Sequence, residues 1–191
     1  MTGFSGLDVG RPDDATAAAA GGSAALLRPA QRVLSRVNAV VGWLSAITVV
    51  AAGFVLTYEV FVRYIYKVAT DWQDELSVFL LVGATFMSAS YVQSYRGHVA
   101  IDAMKEILPP AVDRLRAIFA DAASLLFCAF FSWKSWTLWY EAWDEGQVTF
   151  SSWAPPLWIP YSLMAFGMTL LTVQILVQVL GAVLVAKDRA R

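Results

Sequence analysis

The segment VNAVVGWLSAITVVAAGFVLTY, residues Val37–Tyr58, contains no charged side chain. Three further apolar stretches follow it, at Leu76–Tyr95, Ala117–Tyr140 and Tyr161–Ala186. A helix needs about 20 apolar residues to cross a bilayer core of roughly 30 Å, and each stretch reaches that length. The sequence therefore predicts an all-α integral membrane protein with four transmembrane helices, joined by short interfacial helices.

Composition supports a single membrane domain. Hydrophobic residues make up 58% of the chain and the mean hydropathy is +0.56, whereas soluble domains are about 45–50% apolar. We expect the domain over residues 31–187, with spans near 38–61, 75–96, 113–142 and 158–186. Residues 1–30 are rich in alanine and glycine and lack a signal-peptide pattern, so they predict a disordered cytoplasmic tail.

Basic residues near the span ends lie mostly on one side of the predicted membrane. Arg63 and Lys67 lie on the other side, after the first span. Cytoplasmic loops of membrane proteins carry the excess of Lys and Arg. The pattern therefore places both termini in the cytoplasm. The residues on the basic side are Arg28, Arg32, Arg36, Arg96, Lys105, Arg114, Arg116, Lys187, Arg189 and Arg191.

Several functional classes are excluded by residue counts. The net charge of −1 does not suit a nucleic-acid-binding protein, which needs a basic surface. A single cysteine, Cys128, and a single histidine, His98, leave no internal disulfide and no haem with two histidine ligands. The chain has no phosphate-binding loop and no recognisable catalytic constellation, so we expect neither an enzyme nor a cofactor in this chain.

The connection between the first two spans carries charged and aromatic residues. Glu59 and Arg63 are four residues apart with the acid first, which favours a helical ion pair. The segment Val62–Glu75 is mixed in polarity and predicts a stretch lying in the membrane interface, with Trp72 flat at that surface. The acids at its end suit the first turn of the second span, where we expect them to cap free N–H groups: Asp71, Asp74 and Glu75.

The connection between the second and third spans predicts a short amphipathic helix. Asp102 suits the cap of a helix over Ala103–Leu108, and Pro109 ends it. His98 lies outside the apolar core, so a hydrogen-bonded structural role suits it better than proton transfer.

Polar and small residues inside the spans predict helix packing. Gln174 and Gln178 share one face of the fourth span and are expected to bond to a neighbouring helix. Two pairs of small residues, Gly42/Ala46 and Ala84/Ser88, permit close approach between helices.

Tryptophans concentrate towards one end of the third span. Trp133, Trp136, Tyr140 and Trp143 recur at helical spacing and predict one aromatic stripe. The stripe suits either an interfacial anchor or a docking surface for another membrane protein.

Four short motifs occur in a fixed order along the chain. They are YEVFVRY at Tyr58–Tyr64, WQDEL at Trp72–Leu76, RGHVAID at Arg96–Asp102 and PPLWIP at Pro155–Pro160. Together they resemble the small membrane subunit, the DctQ type, of tripartite ATP-independent periplasmic (TRAP) transporters. The resemblance covers roughly Val33 to Lys187.

This resemblance implies a multi-pass protein of the bacterial inner membrane, in contact with lipid and with a large DctM-type membrane subunit. That subunit would hold the substrate and sodium sites and move as an elevator, while a periplasmic binding protein delivers a small organic solute, often a carboxylate. The chain in hand would belong to the fixed scaffold. Candidate interface or structural residues are Glu59, Arg63, Trp72, Glu75, His98, Asp102, Trp136 and Gln174.

Two other functions stay open at this point. A self-sufficient small transporter would need a charged or broken-helix site at the membrane midplane, and the spans show none. A stand-alone tetraspan protein of assembly or signalling would need no binding protein, and the sequence alone does not separate it from a transporter subunit.

Overall fold

The computed structural model describes residues 28–67, 71–95 and 110–189. Over these residues the chain is all α-helical, which confirms the predicted class. The helices are α1 (Arg28–Tyr66), α2 (Asp71–Ser94), α3 (Pro110–Asp144) and α4 (Trp158–Arg189). Helix α1 begins before the predicted domain boundary at residue 31, with Pro29 in its first turn, where proline fits. The tail up to residue 27 lies outside the described residues, as does the predicted helix Ala103–Leu108.

Three of the described helices are long and apolar enough to cross a membrane. These spans are Pro29–Tyr66 in α1, Trp72–Ser94 in α2 and Trp158–Gly181 in α4. Helix α3 has 35 residues but is not among them. Asp121 and Lys134 interrupt its apolar stretch. The crossing by α3 therefore stays a prediction.

The end of α1 differs from the expected interfacial segment. Helix α1 continues to Tyr66, and α2 begins at Asp71, so the described part of Val62–Glu75 belongs to the ends of these two helices. No glycine or proline interrupts the sequence between Phe54 and Tyr66, so nothing local stops the helix earlier. The helix ends at Tyr66, and the next residue, Lys67, has a left-handed φ of +52°.

The helices form a layer in the order α1, α2, α4, α3. Extensive contacts join α1 to α2, α2 to α4, and α4 to α3, whereas α1 and α4 meet only marginally. Helices α2 and α4 therefore lie in the centre, and α1 and α3 lie at the edges. Both edge helices carry exposed apolar side chains, such as Phe54 on α1 and Leu126 on α3. Such faces suit lipid or another membrane protein.

Glycines set the distance between neighbouring helices. A methyl group at Gly167 of α4 would lie 2.5 Å from the backbone carbonyl carbon and oxygen of Phe86 in α2. A methyl group at Gly42 of α1 would lie 2.7 Å from the ring of Tyr91 in α2. Gly42 thus has the packing role predicted for it, and Ala84 is buried as expected, whereas Ala46 is exposed. The absence of a side chain permits the backbones to approach closely.

Two backbone hydrogen bonds join the two arms of the connection between α3 and α4. Thr149 N donates to Pro155 O at 3.2 Å, and Leu157 N donates to Gln147 O at 3.0 Å. Gly146 has a φ of +61°, which glycine adopts without strain just after α3 ends. The loop therefore holds the ends of α3 and α4 at a fixed separation.

Candidate functional site

Three charged residues meet where α1 ends and α2 begins. Arg63 Nη2 lies 2.5 Å from Glu59 Oε1 and 3.5 Å from Asp74 Oδ2. The Glu59 side chain is only 7% exposed, whereas those of Arg63 and Asp74 are each 57% exposed. We call these three residues the Glu59 cluster. It joins α1 to α2 through one guanidinium shared by two carboxylates.

Local sequence places each member of this cluster. The pair predicted from the spacing of Glu59 and Arg63 is present. Asp74 lies in the first turns of α2, but its carboxylate reaches Arg63 of the neighbouring helix, so it links two helices in addition to any effect on the helix dipole. The predicted capping role of Asp74 did not include this contact with α1.

Further polar atoms are buried beside the start of α2. Gln73 and Ser77 are each 1% exposed and stand four residues apart on one face. The same face carries Tyr91, whose ring packs on Gly42, so it is directed at α1. Gln73 Oε1, Ser77 Oγ and Glu75 Oε2 have no hydrogen-bond partner among the described residues. Buried polar atoms are normally hydrogen-bonded to protein or to water. These three atoms therefore mark a polar patch at the start of α2.

A second polar group, the Asn38 network, joins three helices. Asn38 Nδ2 of α1 donates to Gln174 Oε1 of α4 at 2.8 Å. Ser90 Oγ of α2 donates to Asn38 Oδ1 at 2.7 Å. Nearby, Gln93 Nε2 donates to Gln178 Oε1 and Gln178 Nε2 donates to Gln93 O, both at 3.0 Å. The predicted bonding of Gln174 and Gln178 to neighbouring helices is therefore confirmed.

Trp136 joins α3 to α4. Its Nε1 donates to Thr169 Oγ1 at 3.0 Å, and Ser132 Oγ lies 3.0 Å from the same oxygen. The Trp136 ring packs edge-on against the Phe166 ring, with 5.2 Å between the two ring centroids. The predicted stripe is partly covered, because Trp136 is half-buried against α4. Its other members are exposed: Trp133, Tyr140 and Trp143.

The candidate interface residues named from the sequence therefore lie in different parts of the structure. Trp72 is 40% exposed at the start of α2, and Glu75 is half-buried there, close in sequence to Asp74 of the Glu59 cluster. Gln174 and Trp136 lie elsewhere in the layer. His98 and Asp102 lie outside the described residues. No group of three His, Cys, Asp or Glu suited to a metal occurs in the part of the chain that the structure describes.

Several structural residues were missed in the sequence. Asn38 lies inside the charge-free run Val37–Tyr58 and passes as one polar residue among apolar ones. The spacing of these residues indicates their role: four buried positions of α1 recur every seven residues, which is typical of an interface between packed helices. Those positions are Asn38, Ser45, Ala52 and Glu59.

The arrangement holds helices together. Its polar side chains bond across helix boundaries, and hydrogen bonds of this kind fix helices in a bilayer. Such a layer suits a structural part of a membrane assembly.

Comparisons with known proteins agree with this description. The family described as "Tripartite ATP-independent periplasmic transporters, DctQ component" matches residues 53–184. A relative from Vibrio cholerae, "C4-dicarboxylate TRAP transporter small permease protein DctQ", is 27% identical over 139 residues. That similarity covers 62% of this chain and 60% of the relative's length. No solved structure matches the chain.

The family match includes the Glu59 cluster, Gly167 and Gln174, and it spans most of the layer. Its members are subunits of transporters, not enzymes. With three apolar helices of membrane-spanning length, the chain is a multi-pass bacterial membrane protein. It belongs to the DctQ component family of tripartite ATP-independent periplasmic transporters.

Proposed function

We propose that this chain is the fixed scaffold subunit of a TRAP transporter. It supports sodium-coupled, binding-protein-dependent uptake of a small organic solute by a large DctM-type partner. The observation that carries this proposal is the layer itself. Asn38, Ser90 and Gln174 bond to one another across three helices, and the two edge helices present apolar faces.

The polar groups of the layer favour a scaffold over a self-sufficient transporter. A substrate site in a secondary transporter is usually built from broken helices, whose free backbone groups bind the solute. Helices α1, α2 and α4 run unbroken through their spans. Asn38, Ser90 and Gln174 satisfy one another, so they are not free to bind a solute. The solute and sodium sites therefore belong to the large subunit.

The proposed solute is a carboxylate. The Vibrio cholerae relative is named for C4-dicarboxylates, which supports this class. Delivery would depend on a periplasmic substrate-binding protein, the third component implied by the family.

The proposed topology has four spans, with both termini in the cytoplasm and the protein in the inner membrane. We expect a cysteine at Gly146 to react with an impermeant thiol reagent in intact cells, once Cys128 is replaced. Cysteines at Lys105 or after Lys187 should be protected, because the basic residues keep those segments inside. Opposite labelling of Lys105 and Gly146 also requires α3 to cross the bilayer. A labelled C-terminus with a protected Gly146 would reverse the orientation.

Assembly with the large subunit is the direct test of a subunit role. Co-expressed with a tagged large subunit from the same transporter, the wild-type chain should be recovered with it in detergent. Recovery of the large subunit free of this chain, under conditions where both are folded, would contradict the proposal.

The start of α2 is expected to support that contact. Trp72→Ala and Glu75→Gln should lower recovery of the complex, because Trp72 is exposed and Glu75 Oε2 is a buried acceptor without a described donor. A charge pair that is fully buried at an interface contributes roughly 3–5 kcal/mol when one partner is lost, against about 0.3–1 kcal/mol for a helix-dipole effect alone. Asp144→Asn, at an exposed site, is the control. Wild-type recovery of both variants would leave only anchoring and capping roles.

A further inference from the structure

The Glu59 cluster is unbalanced in charge. Glu59 and Asp74 share the guanidinium of Arg63, so the cluster carries a net charge of −1 when both carboxylates are ionised. The other basic residue of the connection, Lys67, forms no ion pair with the cluster in the described residues. Arg63 is also closer to Glu59 than to Asp74, which leaves Asp74 with the weaker partner.

The surroundings of the cluster are apolar and uncovered. Glu59 and Arg63 line a shallow depression together with Val60 and Tyr64. Val60 is 68% exposed and Tyr64 is 85% exposed. All four residues lie in the last turns of α1, at the end of the span Pro29–Tyr66 and next to the predicted outer membrane surface. Apolar side chains around a half-exposed charge have the composition of a protein contact, with an apolar centre and a polar group that selects the partner.

Asp74 is half-exposed beside these apolar side chains, and a positive charge on a partner would compensate its carboxylate. Charges within membrane spans normally face other protein groups, with which they pair. A partner that covers Val60 and Tyr64 and also reaches Asp74, which lies beside the depression, should therefore bring a positive charge and an apolar body. A lysine or arginine on a transmembrane helix has both, because its long stem is apolar and its head is charged.

We propose that the Glu59 cluster docks a basic side chain, lysine or arginine, on a transmembrane helix of the large subunit. The charged head lies against Asp74, and the neighbouring apolar residues of that helix cover Val60 and Tyr64. This inference rests on the proposed function, because it takes the large subunit as the partner. It adds the place of contact, the chemistry of the partner residue and the role of Asp74.

Position-specific crosslinking identifies the residue that docks. A photoreactive phenylalanine analogue replaces Tyr64 in the full chain, co-expressed with the large subunit, and the crosslinked peptide is sequenced. The expected peptide belongs to a transmembrane helix of the large subunit and contains a lysine or arginine within one helical turn of the crosslink. A peptide without a basic residue, or a crosslink to lipid alone, overturns the inference.

Charge exchange then tests the pairing. Asp74→Asn should weaken the complex by about tenfold or more, and Asp74→Lys should weaken it further, because a like charge then faces the partner. Changing the identified basic residue to glutamate should restore the complex with Asp74→Lys to within about threefold of wild type. Asp144→Asn is the matched control and should bind like wild type.

The outcomes separate this inference from the function on which it depends. A misfolded Asp74→Lys chain is not rescued by a change in its partner, so restoration identifies a direct pairing. If the wild-type complex forms and Asp74→Asn binds equally well, the docking inference fails and the scaffold function stands. If the wild-type chain forms no complex with the large subunit, the proposed function fails as well.

Discussion

Gly167→Ala is expected to destabilise the isolated chain severely. The added methyl group would lie 2.5 Å from the carbonyl carbon and oxygen of Phe86, and neither backbone atom can turn away as a side chain would. Helices α2 and α4 must therefore separate, which loosens the centre of the layer. Overpacking of a tight interface costs about 1–3 kcal/mol, and a backbone contact belongs at the upper end of that range.

Gly53→Ala provides a matched control with the opposite sign. Gly53 lies in α1 and has no atom within 4 Å of an added methyl group. Alanine is a better helix former than glycine by about 0.5–1 kcal/mol. Thermal denaturation of the purified chains, followed by size-exclusion chromatography, should show a large loss for Gly167→Ala and no loss for Gly53→Ala. Equal melting of the two variants would show that α2 and α4 do not pack as described.

The close contact at Gly167 lies in a tightly packed centre of the layer. On the two sides of this contact, Leu163 packs on Gly83, and Met168 and Ile175 belong to the buried core. The Asn38 network then fixes α1 to both central helices further along α4. A wall of this kind suits a subunit that stays still while its partner moves.

Hydropathy predicts the presence of the helices because a bilayer crossing needs about 20 apolar residues, although α1, α3 and α4 extend well beyond that length. Each of the four apolar stretches became a helix, and the spacing of Glu59 and Arg63 correctly gave an ion pair. Both features depend on residues that are neighbours in sequence or along one helix. Gln174 was also assigned correctly to helix packing, since a glutamine in an apolar helix requires a hydrogen-bond partner.

The order of the helices was not predictable by the same argument. Hydropathy states that a helix lies in lipid, but not which helix lies beside it. Gly167 appears in sequence as one glycine among apolar residues, and only its position opposite the Phe86 backbone gives it a role. The spacing of Trp136 predicts its place in the aromatic stripe, but not that Thr169 of α4 accepts a hydrogen bond from its N–H group.

The extent of α1 was missed for a different reason. The charges and tyrosines after Glu59 indicate a membrane surface and predict that the first span ends near residue 61, whereas the helix itself continues to Tyr66. A helix continues through an interface when no residue stops it, and the ion pair of Arg63 with Glu59 stabilises the turn where the segment leaves the apolar run.

Solute uptake by reconstituted subunits tests the scaffold function most directly. The chain is placed in liposomes alone, with the large subunit, or with the large subunit and its loaded binding protein. The solute is one that the binding protein already binds, in radiolabelled form. Asn38, Ser90 and Gln174 bond to one another across the spans, as do Gln93 and Gln178, and the spans are unbroken. We therefore expect no uptake by the chain alone above empty liposomes, whatever the sodium gradient.

The complete set should take up the solute when sodium is higher outside and the binding protein is present. Omitting this chain should reduce uptake to near background, because the large subunit then lacks its fixed wall. Full uptake without this chain would contradict the scaffold function, and so would sodium-driven uptake by this chain alone.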